Sequence, residues 1–407
     1  MHIIPWITIG LNILILSIIA NGNPYKLKYV HVMFDQGQTV PDPMYEASED
    51  RRWWDRGCSD PGCMTETTFN MAKKFVDGFF NKYSDFVGRN EDKYSYNFGK
   101  IDTPAAGTAI NQLLWKYFND PGKYTRSIYV SNRGDLNADY RCSKRNKLME
   151  MARYHSMTDA EKVEFDTLIN DMRNYTKEDV TAWNHLEYIK GFLAEVTEYN
   201  PQELVDLLSK YKDIIIKSFK ISMGLVDTPI IQGNITIDEE IRQSRVKPTF
   251  WYHFVEVGRK EHCLKVRTCD TGRETVKLGA YATTATTINA MLMGLGLTKH
   301  INQSIDFYPK AGSNLVIELY AKTDNSMYFK VLLSRDRADA YKDLTKDIQG
   351  CEATEYCDFA VLDTLYRSSF ISFECRYDRQ QYFVPKSTTT STSDNCKTTH
   401  RSFFNFF

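Results

Sequence analysis

The chain has 407 residues, of which 42% are hydrophobic, and its 51 basic residues nearly balance 52 acidic ones, giving a net charge of −1. This length and apolar content are typical of a globular protein with one large domain or two. Because the net charge is close to zero and the basic residues are scattered, a general attraction to nucleic acid or to an anionic membrane is excluded.

The amino terminus predicts a secretory signal peptide over residues 1–22. An apolar run from Leu11 to Ile19 is followed by small residues at Ala20 and Gly22, and cleavage after either residue fits the pattern. A membrane anchor is the alternative, but the run is shorter than the about 20 residues that a span needs. We therefore expect a secreted protein without a membrane span after cleavage, with a lysosomal or another secretory compartment as the alternative.

The cysteines and sequons fit that route. In an oxidising compartment most of the nine cysteines should pair, and short spacing predicts the bridges Cys58–Cys63 and Cys263–Cys269. His262 beside the second pair makes a metal site the alternative there, although no further ligands follow at metal-binding spacing. We predict no metal or other cofactor. Three sequons predict N-glycosylation, at Asn174, Asn234 and Asn302.

The first strand is predicted from Tyr29 to Phe34, where the residues are apolar and β-branched, and Gly37 marks the turn that follows. A strand that ends in such a turn places the next side chains at its carboxyl end. In open α/β sheets that edge is where ligands bind. Residues 35–41 are therefore candidates for a binding site.

Helices follow with recognisable starts. Thr65 is a candidate N-cap for an amphipathic helix, and a second amphipathic helix is predicted after Thr103. Residues 150–275 are mostly helical by their spacing, with a capping box from Thr158 to Glu161 and an N-cap at Asn200 before Pro201.

Further along the chain, residues 315–320 and 327–333 alternate as the two strands of a hairpin around the turn 323–326. Residues 386–407 form a tail that is rich in Ser and Thr as far as residue 399, a composition typical of disordered, O-glycosylated segments.

Residues 34–41, Phe-Asp-Gln-Gly-Gln-Thr-Val-Pro, resemble the signature Arg-His-Gly-x-Arg-x-Pro of the histidine acid phosphatase family. When the two are aligned on Gly37 and Pro41, the nucleophilic histidine of the family falls on Gln36. Its two phosphate-binding arginines fall on Asp35 and Thr39.

Other family landmarks follow in the same order. Residues 97–104 resemble the motif Arg-Ser-x-Asp-x-Asp-Arg-Thr and keep Asp102, whereas its arginines fall on Asn97 and Thr103. Residues 281–287 resemble Tyr-Ser-x-His-Asp-Thr-Thr and keep both threonines, but the histidine falls on Thr284 and the acid aspartate on Ala285.

The resemblance implies a fold and a set of disulfides. The expected fold is α/β, with a central mixed sheet and flanking helices as in the phosphoglycerate mutase-like histidine phosphatases. A domain over residues 24–385 would carry an α-helical cap insertion at roughly 150–270. The family also implies the bridges Cys142–Cys375 and Cys351–Cys357, which leave Cys396 unpaired, and a homodimer by analogy.

The family's chemistry needs a histidine nucleophile, an acid aspartate and arginines that grip the phosphate. Here an amide, an alanine and a carboxylate stand at those positions. We therefore predict a catalytically inactive, phosphatase-like protein that binds or regulates a ligand or partner that the sequence does not name. The alternative is an acid phosphatase with a rewired or residual site.

Two groups of residues could compensate for these losses. Arg51, Arg52 and Arg56 could reach the rim of the pocket, or they could belong to a solvated charged loop. His31 precedes Gln36 by five residues, which is about 16 Å along a strand, too far to replace the nucleophile.

Overall fold

The computed structural model describes residues 23–42, 44–45, 60–88, 96–117, 128–131, 136–140, 142–233, 235–266, 275–301, 313–335 and 341–368. The predicted signal peptide, the arginines at 51, 52 and 56, the Ser/Thr-rich tail and two of the sequons, Asn234 and Asn302, lie outside these residues. The third sequon, Asn174, is exposed.

Ten strands are described: β1 (Lys26–Asp35), β2 (Tyr96–Lys100), β3 (Ile128–Val130), β4 (Ile231–Gln232), β5 (Ile235–Thr236), β6 (Leu278–Thr283), β7 (Asn314–Ala321), β8 (Met327–Ser334), β9 (Lys342–Asp343) and β10 (Cys357–Asp358). Ten α-helices are described: α1 (Glu66–Val87), α2 (Pro104–Tyr117), α3 (Ser143–Ser156), α4 (Asp159–Thr176), α5 (His185–Tyr199), α6 (Gln202–Lys210), α7 (Lys212–Met223), α8 (Ile237–Val266), α9 (Ala285–Gly294) and α10 (Phe359–Ser368).

Eight of the strands form one mixed sheet in the order β10-β8-β7-β1-β6-β2-β3, with β9 paired to β8. β1 runs parallel to β6 and antiparallel to β7, whereas β2 runs parallel to both β6 and β3. Every residue of β6 is buried, so that both faces of the sheet centre are covered, as is usual for parallel strands. This mixed sheet with flanking helices confirms the predicted fold class.

The predicted helix starts are confirmed where local capping decides them. The Thr65 side chain accepts a hydrogen bond from the backbone of Thr68 at the start of α1, and the Thr158–Glu161 capping box opens α4. Phe75 of α1 faces the sheet, where its ring lies 5.0 Å from that of Phe34.

Helices α3 to α8 lie between β3 and β6 in the chain, where the helical insertion was predicted. One start within it was predicted wrongly. Asn200 does not cap α6; it ends α5 in the left-handed conformation, with φ of 49°, and its N–H donates to Val196. Asparagine tolerates that conformation, which makes it a frequent residue at the end of a helix.

The hairpin of β7 and β8 turns through Asn325, and Cys351 and Cys357 form the predicted disulfide. Cys63, Cys142 and Cys263 are also disulfide-bonded. The cysteines predicted to pair with them, Cys58, Cys375 and Cys269, lie outside the described residues, as does Cys396. Among the helices that the structure describes, none is both long and apolar enough to cross a bilayer.

Candidate functional site

The carboxyl ends of β1, β6 and β2 meet at one edge of the sheet. The N–H of Gln36 donates to Thr283 at 3.0 Å, and the N–H of Ile101 donates to Ala282 at 3.1 Å. Gly37 has a φ of +85°, a conformation that glycine adopts without strain, and it turns the chain away from β1. The segments that follow these three strands therefore lie side by side at this edge of the sheet.

We call five residues at this edge the strand-end cluster: Asp35, Gln36, Thr103, Thr284 and Ala285. The carboxamide oxygen of Gln36 accepts a hydrogen bond from the Thr103 hydroxyl. The same hydroxyl accepts the N–H of Ala106 at 3.2 Å, so that Thr103 also caps α2. Gln36 is thus fixed at the position that the resemblance gives to a nucleophile, but its amide nitrogen is a poor nucleophile.

Asp35 is only 6% exposed, and burial raises the pKa of its carboxyl group to about 7. Backbone N–H groups of Gly37 and Ala285 donate to the carboxyl group, and these bonds and the charge of Lys190 limit the rise. Ala285 is the first residue of α9, so Asp35 lies at the positive end of a helix. The cluster therefore holds a carboxyl group that exchanges its proton near neutral pH.

The threonines after β6 have structural partners. Thr284 caps α9 by accepting the N–H of Thr287 at 3.3 Å. The Thr287 hydroxyl donates to the carbonyl of Leu136 and accepts the N–H of Ala138, each at 3.1 Å. These bonds hold the segment 136–140 against the start of α9. Ala285 is buried and has no proton to donate.

Two further predicted site residues have partners outside the strand-end cluster. Thr39 forms an antiparallel bridge with Met64, in the segment that leads into α1. Asn97 pairs with Gly279 in the body of β2, and its amide donates to Glu256 at 3.0 Å and to the Tyr281 hydroxyl at 3.1 Å. Since Asn97 precedes the strand end by three residues, or about 10 Å, it does not line the strand-end cluster.

Three charged residues that the sequence did not predict as site residues lie beside the cluster. The carboxylate of Asp139 contacts Lys190 Nζ at 3.0 Å and Arg245 Nη1 at 2.8 Å. Burial alone would raise the pKa of Asp139, but the two cations and a hydrogen bond from the Thr286 side chain hold it well below its usual range. No local pattern marks these residues, because they come from a loop and two separate helices.

His31 does not reach the cluster. It is fully buried in β1, where its ring nitrogens lie 3.2 Å from the Tyr29 hydroxyl and 3.0 Å from the ring of His253. It is therefore a core residue, and it does not replace the nucleophile.

No protein-family model matches the sequence. A Caenorhabditis elegans protein named "Putative acid phosphatase F26C11.1" is 27% identical to it over 131 residues. The match covers 32% of this chain and 30% of that relative.

Solved structures match almost the whole described fold. The phytase of Hafnia alvei, in complex with myo-inositol hexakis sulphate, gives a TM-score of 0.55 at 13% identity, over 87% of this chain and 99% of the phytase. The phytase of Citrobacter braakii gives 0.53 at 12% identity, over 86% and 99% of the two chains. That of Klebsiella sp. ASR1 gives 0.53 at 11% identity, over 90% and 99%. The chain therefore has the histidine acid phosphatase fold of these phytases.

Proposed function

We propose that this protein is a secreted, glycosylated relative of the histidine acid phosphatases that has lost phosphatase chemistry and acts by binding a ligand or a protein partner. The hydrogen bond from Thr103 to the Gln36 carboxamide carries the proposal. It fixes an amide where the family resemblance requires an imidazole. An amide cannot form and release a phosphoryl intermediate, so the first step of the family's reaction has no acceptor.

The other chemical roles also lack a residue within the strand-end cluster. Ala285 replaces the acid that would protonate the leaving oxygen. None of the five cluster residues is an arginine or a lysine, and Asp35 stands where the resemblance expects an arginine. Nucleophile, acid and phosphate clamp are thus absent from these positions together.

Electrostatics favour an uncharged or cationic ligand. Above the Asp35 pKa of about 7, a phosphate dianion about 4 Å from the ionised carboxylate would meet a repulsion of about 8 kcal/mol at an effective dielectric constant near 20. That exceeds the about 1 kcal/mol that a typical neutral hydrogen bond contributes. The hydroxyls and amide of the cluster can instead bind a neutral polyol without that penalty.

The disulfide chemistry supports the secreted location. Besides the Cys351–Cys357 bridge, Cys63, Cys142 and Cys263 are disulfide-bonded, and such bonds persist in oxidising compartments. Asn174 is exposed, as a glycosylated asparagine has to be. Endoglycosidase digestion of protein secreted from eukaryotic cells tests this part of the proposal, since an unchanged mass would contradict it.

The test of function is an assay of the purified protein with an aryl phosphate from pH 4 to pH 7. We expect no more phosphate release than from heat-denatured protein. Turnover that disappears in Gln36→Ala or Thr103→Val, but persists in Gln112→Ala, would overturn the proposal. Gln112 is a matched control because its amide donates to a backbone carbonyl, that of Phe69, outside the cluster.

A rewired phosphatase is the second candidate, and the pKa of Asp35 is the observation that favours it. A carboxyl group with a pKa of about 7 suits a general acid or base at neutral pH. If this candidate is correct, the rate depends on pH with a midpoint near 7, and Asp35→Asn abolishes both the rate and that dependence.

A further inference from the structure

Asp139, Lys190, Arg245 and Thr286 form a second polar group, which we call the carboxylate clamp. The Asp139 carboxylate accepts from Lys190 Nζ, from Arg245 Nη1 and from the Thr286 side chain. Two cations and a hydroxyl that converge on one carboxylate provide the donors that a bound oxyanion would also use.

Arg245 is held rigidly. It is only 5% exposed, its Nε donates to the Ser222 carbonyl at 2.8 Å, and its Nη1 also donates to the Ala138 carbonyl at 2.9 Å. Arg145 donates to the same carbonyl at 3.0 Å, and burial, with the charge of Arg245, lowers its pKa to about 9. A buried guanidinium needs an anionic partner, and Asp139 supplies one from within the chain.

The clamp adjoins the strand-end cluster. Thr286 follows Ala285, whose N–H donates to Asp35, and the charges of Lys190 and Asp139 both act on the Asp35 carboxyl group. The Lys190 side chain is 36% exposed and that of Asp139 is 26% exposed, so solvent reaches both. An anion that approached the cluster would therefore meet the clamp.

We propose that Asp139 determines which class of ligand binds at the strand-end cluster. Its carboxylate already pairs with Lys190 and Arg245, the two cations that would otherwise bind phosphate or sulfate. The inference rests on the proposed binding function of the strand-end cluster and adds the exclusion of oxyanions. A dissolved anion has to displace the Asp139 carboxylate. The chain holds that carboxylate beside the cations, so its effective concentration there is high. The ligand that remains acceptable is uncharged or cationic.

The test is a sulfate titration followed by thermal unfolding and by calorimetry. Wild-type protein should show no saturable change. Asp139→Asn removes the charge but keeps the shape, and we expect sulfate to raise its melting temperature saturably, by about 3–5 °C at 100 times the dissociation constant. The double variant Asp139→Asn/Lys190→Met should lose most of that rise.

Asp347→Asn is the matched control. The Asp347 carboxylate also joins two basic groups, Lys299 Nζ at 2.6 Å and His300 Nε2 at 2.8 Å, and its side chain is 31% exposed. Sulfate should have no saturable effect on that variant. A saturable rise in wild type, an equal rise in Asp347→Asn, or no rise in a folded Asp139→Asn would each overturn the proposal.

Asp139→Ser covers the case in which Asp139→Asn does not fold. Each variant is refolded with and without sulfate, because an anion in the freed clamp has to replace the lost carboxylate. Failure of both variants to fold in sulfate would contradict the proposal. Since sulfate is not hydrolysed, its titration reports binding without turnover. A saturable rise in wild type without hydrolysis of an aryl phosphate would overturn this inference and leave the proposed loss of phosphatase chemistry in place.

Discussion

The rings of His31 and His253 meet in the core, with His31 Nε2 and His253 Nδ1 separated by 3.0 Å. Burial lowers the pKa of His31 well below its ordinary value, and the proximity of His253 lowers it further; burial lowers the pKa of His253 to about 3. Both rings are therefore neutral in the folded protein, and one ring nitrogen of the pair carries the shared hydrogen. The other ring nitrogen of His253, Nε2, finds no hydrogen-bond partner among the described residues.

The buried histidines should destabilise the protein in acid. His185 behaves in the same way, because burial and the charge of Arg153 lower its pKa to about 3. Below the unfolded-state pKa of 6.5, the unfolded chain binds protons that the folded chain does not. The free energy of unfolding should therefore fall by about 1.4 kcal/mol per pH unit for each histidine, from about pH 6 toward pH 3.

Urea denaturation at four values between pH 4 and pH 7 measures this slope. The three buried histidines contribute equally to this slope, so His185→Asn should remove about one third of their contribution. The same change at the exposed His155 should leave the slope unchanged. A slope that is the same in wild type and in His185→Asn would contradict the prediction.

Asp35→Asn should stabilise the protein at neutral and alkaline pH. The folded-state pKa of about 7 exceeds the ordinary 3.8, so the folded protein keeps a proton that the unfolded chain loses, and stability falls as pH rises from about 4 to 7. Removing the charge should raise the free energy of unfolding by up to about 4 kcal/mol at pH 8 and by little at pH 4. The difference in urea midpoint between the two pH values checks this, with the exposed Asp42→Asn as control.

Thr103→Val should destabilise the protein by about 1–2 kcal/mol, because it removes both the cap of α2 and the partner of the Gln36 oxygen. Thr103→Ser keeps the hydroxyl and should therefore retain most of the stability that Thr103→Val loses. Thermal unfolding of the three proteins provides the measurement. Equal stability of the Val and Ser variants would show that the hydroxyl makes no net contribution.

Gly279→Ala should destabilise the protein by roughly 1–3 kcal/mol. A Cβ at this position in β6 would lie 2.2 Å from the Tyr29 hydroxyl, which lies against His31, so the buried group would have to shift. Gly107→Ala is the control, since a Cβ there meets nothing closer than 4.0 Å, and alanine favours the helix by about 1 kcal/mol. Chemical denaturation of both variants should give changes of opposite sign.

The sequence predicted the features that depend on neighbouring residues. The apolar run before Gly37 predicted β1 and its turn, and Thr65 and Thr158 predicted two helix starts, because a capping bond spans only three residues. Asn200 shows the limit of such evidence. An asparagine before a proline suits the start of one helix and the end of another, and only the path of the chain selects between them.

The composition of the site could be predicted only in part. The family resemblance placed Asp35, Gln36 and Thr284 at one sheet edge because each ends a strand or follows one directly. It also placed Asn97 there, but the register of β2 against β6 puts that residue about three positions short of the edge. Register is set by pairing between strands that lie far apart in the chain, so the motif alone could not reveal it.

The carboxylate clamp was decided by the tertiary structure alone. Asp139 is separated from Lys190 by 51 residues and from Arg245 by 106. In the sequence these three are ordinary charged residues of a loop and two helices. Only the packing of α5 and α8 around the segment 136–140 brings the three side chains into contact, so that the pKa of Asp139 depends on the two cations. The sequence by itself thus predicted that the phosphatase residues are replaced, whereas the fold decided which charges surround Asp35 and Gln36.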